Sequence, residues 1–354
     1  MERMKLYEKL VNMNGIAGHE RQVRNFVREE LEKVSDEIIQ DKLGSVFGVN
    51  KGTEDGPVIM IAGHMDEVGA MVTKITKEGF IKMIPIGGLD PKVMYSQNVN
   101  IVINDEKTIM GVIGAIPPHL TTGGSKELSF DDLLLDVGAN SKEDAEAMGI
   151  QLGQQIVPVN NYYVMENGNR IVSKAWDNRF GVGMALEIMK EIKGKDHPNT
   201  VIGGATVQEE VGLRGAKTAS QMVKPDLFIA VDVSPVGDFL GEGNNLAFGK
   251  LGEGFLIRFY DPRCIMHEGI RGYFDKLAAE KNIKCQYFLS RGGTDAAEAQ
   301  YSGAIATTVG LPGRYIHTTA AIIDVRDVEA VKEMLLAIIY NFDKKALEEV
   351  NRNV

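Results

Sequence analysis

Four short apolar runs, residues 58–62, 200–207, 227–233 and 304–309, constrain this chain most. Each is too short for a helix of ordinary length. Each is also too continuously apolar for a strand with one wet face, so each reads as a buried strand. Helical patterns lie between and after them. Residues 179–192 carry Val182, Leu186 and Met189 as an apolar stripe, residues 213–223 and 272–281 are helical, and a long C-terminal helix covers 327–342. Residues 246–259 and 285–289 read as further strands and 294–301 as a short helix, with Pro312-Gly313 as a turn after the last apolar run. Such alternation predicts a doubly wound α/β sheet, which gathers ligands beyond the carboxyl ends of its strands.

The first 69 residues fit the same unit. Leu6, Leu10 and Val11 mark one helical face, which Gly15 and Gly18 end; Val23, Phe26, Val27, Leu31 and Val34 mark a second helix from about Glu20. Strand-like runs at 37–40 and 45–50 and an Asp55-Gly56-Pro57 turn lead into the run at 58–62. Between residues 70 and 164 the rhythm changes. Short β-like runs at 70–75, 80–85, 99–103, 109–116 and 156–159, punctuated by Gly87-Gly88 and Gly123-Gly124, carry one short helix at 142–148. This predicts a small inserted β-barrel or sandwich, residues 70–164, within a mixed-sheet domain built from 1–69 and 165–354.

At 354 residues the chain has room for two such units, and its formal charge of −10 argues against a nucleic-acid partner. No apolar run approaches the roughly 20 residues that span a bilayer, and the opening MERMKLYEKLV has no signal-peptide core. The two cysteines, Cys264 and Cys285, exclude a disulfide framework and read as reduced, buried thiols. The sixteen methionines are scattered and read as core filler.

Acids and histidines collect where the strands end. The run at 58–62 ends in Gly63-His64-Met65-Asp66; residues two apart on a strand share a face, which suits a metal-bound imidazole steadied by a carboxylate. Asp177, in Trp176-Asp177-Asn178-Arg179, precedes a helix and is either a cap or a ligand. Glu209 and Glu210 are adjacent carboxylates at a strand end, where they repel unless a cation or shared proton intervenes. Asp232 sits inside an apolar strand and needs a cation or donor to answer it. His317 follows the last apolar run, whereas His119, beside Pro117-Pro118, reads as a surface imidazole.

His64, Asp177, Glu210, Asp232 and His317 are nitrogen and oxygen donors, which suit zinc, cobalt or manganese. Five are too many for one catalytic zinc and fit two ions about 3.5–4 Å apart that share a carboxylate. Such a pair acidifies a bridging water and polarises a carbonyl, and a carboxylate outside the ligand set must take the water's proton. Glu209 is the candidate. The reaction class is metal-assisted hydrolysis of an amide.

The segments AGHMDEVG, AWDNRFG, TVQEEVGLRGA, AVDVSP, GGTDAAEAQ and RYIHT resemble, in order and along essentially the whole chain, the M42 family of metallo-aminopeptidases. AWDNR is similar to the glutamyl aminopeptidase branch. The resemblance implies that Asp177 bridges two zinc or cobalt ions, one completed by His64 and Asp232 and the other by Glu210 and His317. It further implies that Glu209 is the general base, that Asp66 orients His64, and that 70–164 mediates dimers which build a hollow tetrahedral dodecamer. A cytoplasmic enzyme trimming short peptides is the implied role. Two departures stand out: many relatives carry Asp-Asp at Asp177-Asn178, and many carry Ser-Pro or a nearby Glu where this chain reads Thr318-Thr319-Ala320-Ala321.

A preference for N-terminal Glu or Asp requires a cation. Arg291, just before Gly292-Gly293-Thr294-Asp295, is the candidate, with Arg258 and Arg263 behind it; Thr294-Asp295 either caps the next helix or lines the pocket. The competing readings are a dinuclear deacylase or carboxypeptidase and a non-catalytic scaffold held together by metal. An endoglucanase is disfavoured because glycoside hydrolysis uses a carboxylate pair and no metal dyad.

Overall fold

The computed structural model describes residues 4–53, 55–120, 127–241 and 248–353. Helices α1 (Met4–Asn12) and α2 (Arg21–Glu32) precede strands β1 (Glu37–Gln40), β2 (Val46–Lys51) and β3 (Val58–His64). The inserted part supplies β4 (Gly69–Ile75), β5 (Ile81–Ile86), α3 (Pro91–Met94), β6 (Asn98–Val102), β7 (Thr108–Gly114), β8 (Leu134–Asp136), α4 (Lys142–Ala147) and β9 (Gln155–Pro158). The chain then returns through β10 (Tyr163–Val164), β11 (Arg170–Ser173), α5 (Trp176–Ile192), β12 (Thr200–Thr206), α6 (Arg214–Val223) and β13 (Leu227–Pro235). It finishes with β14 (Phe255–Tyr260), α7 (Glu268–Lys281), β15 (Cys285–Leu289), α8 (Ala296–Ala299), β16 (Ile305–Arg314), β17 (Ala321–Asp324), α9 (Val325–Asn341) and α10 (Lys344–Arg352).

The large sheet runs β1-β2-β12-β3-β13-β16-β17-β11-β10, with β14 and β15 branching from β16. Its four central strands, β12, β3, β13 and β16, are parallel and are the four apolar runs of the sequence. Both faces are covered. One core joins these strands to α1, α2, α5, α7 and α9, and a second packs α6 and α8 on the opposite face. Strands β4-β5-β8-β7-β6-β9 close into a barrel around Val72, Ile81, Ile101, Leu135 and Ile156, so barrel rather than sandwich describes the insertion. Among the described residues no helix is long and apolar enough to cross a membrane.

Close backbone approach places α5 over the strand ends. A Cβ on Gly63 would stand 2.2 Å from the Gly181 carbonyl carbon, and one on Gly181 would stand 2.1 Å from Val231 O. Only glycine permits that contact. The start of α5 is irregular, with Asp177 (φ −81°, ψ 105°) and Asn178 (φ −126°, ψ 42°) outside helical space and a cis peptide between them.

Several local expectations change. A strand over 246–259 shortens to Phe255–Tyr260, because Gly249, Gly252 and Gly254 take positive φ and the Gly252 and Gly254 amides turn to the Asp327 carboxylate. Residues 246–247 and Gly123-Gly124 lie outside the described residues. Pro312-Gly313 is not a turn but the end of β16, held in register by Ser234 and Pro235 of β13. Cys264 is buried, but Cys285 is exposed, since among the described residues β15 pairs only with β14 and forms a sheet edge. Short α3 and the terminal α10 were not legible from periodicity.

Candidate metal centre

The parallel register brings His64, at the end of β3, level with Thr206, at the end of β12. Glu209 and Glu210 follow β12, Asp232 lies on neighbouring β13, and His317 lies three residues beyond β16. Asp177 descends from the start of α5. There the two readings of its segment divide between two residues: Asn178 accepts from Gly181 N at 2.9 Å and does the capping, which leaves the Asp177 carboxylate unspent.

That carboxylate lies between the two imidazoles. His64 Nε2 is 3.1 Å from Asp177 Oδ1, and His317 Nε2 is 3.2 Å from Asp177 Oδ2. Asp232 Oδ1 is 3.9 Å from His64 Nε2, and Glu210 Oε1 is 3.4 Å from His317 Nε2. Each ring is anchored through its other nitrogen to a backbone carbonyl, His64 Nδ1 to Asp66 O at 3.0 Å and His317 Nδ1 to Gly88 O at 2.9 Å. Each ring thus turns its Nε2 toward the carboxylates, the nitrogen that would offer a lone pair to a cation bound there. The Gly88 contact comes from the barrel, where the sequence showed only a turn signal.

Donor sets His64/Asp177/Asp232 and Asp177/Glu210/His317 each gather within 4.8 Å and share Asp177; a further set, His64/Glu209/Glu210, meets the same limit. Glu209 Oε2 is 3.8 Å from His64 Nε2. With Nδ1 committed, His64 has one nitrogen for one ion, so its partners are either Asp177 with Asp232 or Glu209 with Glu210. The first choice uses the closer carboxylate.

The electrostatics demand positive charge here. Burial and then repulsion from Asp177 push the Asp232 carboxyl up to about 7. Burial, only partly offset by His64, holds Glu209 well above the usual range, with Glu210, Asp232 and Asp295 adding to the rise. Burial alone would lower the His317 imidazole, but hydrogen bonds to Asp177 and Glu210 carry it to about 11. Burial would raise the Asp177 carboxyl, yet the two imidazoles hold it well below its ordinary value. Glu210 Oε1 is buried and among the described residues makes no well-aligned hydrogen bond, its neighbour being His317 Nε2 at 3.4 Å. A carboxylate shared between two imidazole Nε2 atoms, with Glu210 and Asp232 close by, is a donor set suited to a pair of divalent cations.

Asp66 differs from its expected geometry. Its carboxylate is 3.6 Å from His64 Nδ1 and instead accepts from Glu209 N and Glu210 N, both at 3.0 Å. Sequence reading also missed a buried charge cluster beside the centre. Lys174 Nζ donates to both Glu67 oxygens at 2.7 and 2.6 Å. Arg179, fully buried, donates to Met65 O, Leu10 O, Met13 O, Gly15 O and Glu67. An arginine inside the otherwise apolar pattern of α5 was the available signal. Thr294 and Asp295 do not cap α8; they bond Thr308 and Thr206. Thr318 and Thr319 line a small cavity with Asp177, His317 and the barrel residues Leu89, Val93 and Met94. Arg291 is exposed and, among the described residues, makes no hydrogen bond or ion pair. His119 is exposed in a 3-10 turn.

The M42 glutamyl aminopeptidase family model matches residues 44–334. The glutamyl aminopeptidase of Lactococcus lactis subsp. cremoris is 37% identical over 98% of this chain and 99% of its own. The TET aminopeptidase of a marine-sediment Thaumarchaeota archaeon superposes with a TM-score of 0.94 at 34% identity, covering 99% of both chains. The Pyrococcus horikoshii TET1 peptidase, which assembles into a tetrahedron or a large octahedral shell, superposes at 0.86 with 29% identity, covering 96% of this chain and 99% of that one.

Because Asp177 belongs to two donor sets, its loss should be the most damaging to metal content. Chelated Asp177→Ala protein resupplied with zinc or cobalt should retain less than half the metal of wild type, measured by mass spectrometry of the protein's metals. Asp232→Ala should retain one ion more tightly than the other. Equal metal in Asp177→Ala and wild type would remove the shared-carboxylate arrangement.

Proposed function

The chain belongs to the M42 glutamyl aminopeptidase family, and we propose that it is a dinuclear metallo-aminopeptidase that removes single N-terminal residues from short peptides. Members of this family are metal-dependent hydrolases. The observation that carries the dinuclear reading is Asp177, with one oxygen toward each imidazole. His64, Asp177 and Asp232 would hold one zinc or cobalt ion, and Asp177, Glu210 and His317 the other. When bound, the ions supply Lewis acidity for acidifying a water and polarising the scissile carbonyl.

Glu209 lies beside both donor sets and within 3.8 Å of His64 Nε2. As general base it accepts the proton of the attacking water and returns it to the leaving amine. A metal site serving only structure needs no such extra carboxylate, which disfavours the scaffold reading. Asp66 supports the base from behind through the amides of Glu209 and Glu210, and its backbone carbonyl orients His64.

The Lactococcus relative, a glutamyl aminopeptidase, supports the Glu part of a proposed preference for N-terminal Glu or Asp. Arg258 is committed to Ser234 Oγ and Gly292 O, and Arg263 to Glu298. Arg291 is the candidate that stays free among the described residues, on the loop leading to Asp295. The inserted unit of residues 70–164 is the proposed dimerisation element. Its barrel exposes Met110 and Val112, two apart and so on one face of β7, and also Ile84, apolar side chains available to an association surface. Assembly into a tetrahedral dodecamer and a cytoplasmic location are proposed with it, the first supported by the TET1 shell.

Cleavage of aminoacyl-p-nitroanilides should vanish on chelation and return with zinc or cobalt, with an N-acetylated control left intact. Glu209→Gln should lower kcat by about 10²–10⁴-fold while retaining both ions. Full activity in that variant would remove Glu209 as the base. Arg291→Ala should lower the Glu-over-Leu ratio of kcat/KM by about tenfold, the scale of a lost charged hydrogen bond; an unchanged ratio would clear Arg291 of that role. Met110→Lys with Val112→Lys should reduce the solution mass toward a monomer in light scattering, and an unchanged mass would place the contact elsewhere.

A further inference from the structure

Glu20 stands at the N-cap of α2, where a side-chain oxygen ordinarily accepts from an amide of the first turn, yet it makes no such bond. Its Oε1 accepts instead from Gly18 N at 2.8 Å and from Gln208 N at 3.1 Å, the latter 188 positions away in the chain. Glu20 is only 5% exposed. A carboxylate buried this deeply is held by what it accepts, and one of the bonds this one accepts comes from the segment before Glu209.

Gln208 has φ +56°, the left-handed region that residues other than glycine and asparagine seldom enter. Two further groups of Gln208 are tied to Arg214: its carbonyl accepts from Arg214 N at 3.2 Å and its side-chain oxygen from Arg214 Nη1 at 3.0 Å. The next two amides, of Glu209 and Glu210, go to the two oxygens of Asp66. Three successive amides are thus pinned by two buried carboxylates from separate parts of the chain. The left-handed turn is where the backbone leaves β12 and points the Glu209 side chain into the centre.

We propose that Glu20 is a positioning residue for the reaction: by holding the Gln208 amide it fixes the turn that aims the Glu209 carboxylate. The inference rests on Glu209 acting as general base. A mere tether of α2 to the sheet would affect folding alone and leave the turnover of folded, metal-loaded enzyme untouched.

The test compares Glu20→Ala, Glu20→Gln and Glu20→Ala with Gln208→Gly, all cobalt-loaded, with Glu209→Gln run alongside. The readouts are kcat and KM on an aminoacyl-p-nitroanilide, cobalt per subunit and melting temperature. Glu20→Ala should lose about 10–100-fold in kcat, the scale of a base displaced by up to 1 Å, with KM within about threefold and cobalt at the wild-type level. Glu20→Gln, whose amide oxygen still accepts both bonds, should stay within about threefold of wild type. Gln208→Gly should restore most of kcat in the Glu20→Ala background without restoring the melting temperature, because glycine adopts the left-handed turn unaided. Should Glu20→Ala not fold, Glu20→Asp, one methylene short of the Gln208 amide, replaces it in each comparison. Wild-type kcat in Glu20→Ala beside an inactive Glu209→Gln would overturn the inference alone. So would a kcat loss matched by cobalt loss, or one that Gln208→Gly leaves unrescued. An active Glu209→Gln would instead bring down the general-base reading and this inference with it.

Discussion

Mutual repulsion among buried carboxylates governs this molecule. Asp66, Asp177, Glu209, Glu210, Asp232 and Asp295 converge at the carboxyl ends of the central strands, all largely removed from water, with His64 and His317 among them. Burying one unpaired ion costs several kcal/mol, and a whole domain is stable by only about 5–15 kcal/mol. The cluster is therefore tolerable only as far as its charges are answered. Asp66 is answered by two amides and Asp295 in part, by the Thr206 hydroxyl at Oδ2, while its Oδ1 has no partner among the described residues. For Asp177, Glu210 and Asp232 the described side chains offer chiefly two imidazoles, and the imbalance that remains is what divalent cations would fill.

The scaffold answers the same problem behind the centre. Glu67, Lys174 and Arg179 form a buried cluster in which two cations meet one carboxylate. The surplus positive charge faces Asp66 and Glu20, which lie within electrostatic reach of Arg179. Arg179 also closes four backbone carbonyls, three of them in the N-terminal segment. That segment, the end of β3 and the start of α5 are thereby locked as one piece. Removing a partner from such a buried group costs about 3–5 kcal/mol, so the geometry of the site and the stability of the fold cannot be separated here.

The fold was legible where burial writes a pattern. The central parallel strands are continuous apolar runs, and an acid inside one, Asp232, had to be answered by a charge or donor. The inserted barrel showed in its change of rhythm. Other features left no local signal because their partners lie far away in sequence. Gly88 read as punctuation, although its carbonyl holds His317 across 229 positions. Glu20 read only as a helix start. Asp66 was expected to hold His64 by its carboxylate, yet its backbone carbonyl is closer and the carboxylate is occupied by amides. Pro312-Gly313 carried a genuine turn composition that the ladder with β13 overrides.

The distribution of backbone strain argues that the centre is preorganised. Eight described residues other than glycine have positive φ: Ser96, Ala175, Gln208, Leu213, Lys224, Asn282, Tyr315 and His317. Lys224 and Asn282 terminate helices, an ordinary use of that conformation. Five of the others, all but Ser96, are a proposed ligand or stand within four residues of a proposed ligand or Glu209. Each costs on the order of 1–3 kcal/mol unless its surroundings hold it. A chain that merely needed to turn at these points would place glycine there, as it does at Gly212, whose φ is +125°. Side chains are kept instead because the strained residues do work of their own: His317 presents its ring, and Gln208 binds Arg214. The tethers that hold them, Gly88 to His317 and Glu20 to Gln208, come from the barrel and from the N-terminal helices. The centre is thus built by the sheet but held in shape by the two parts of the chain that lie outside it.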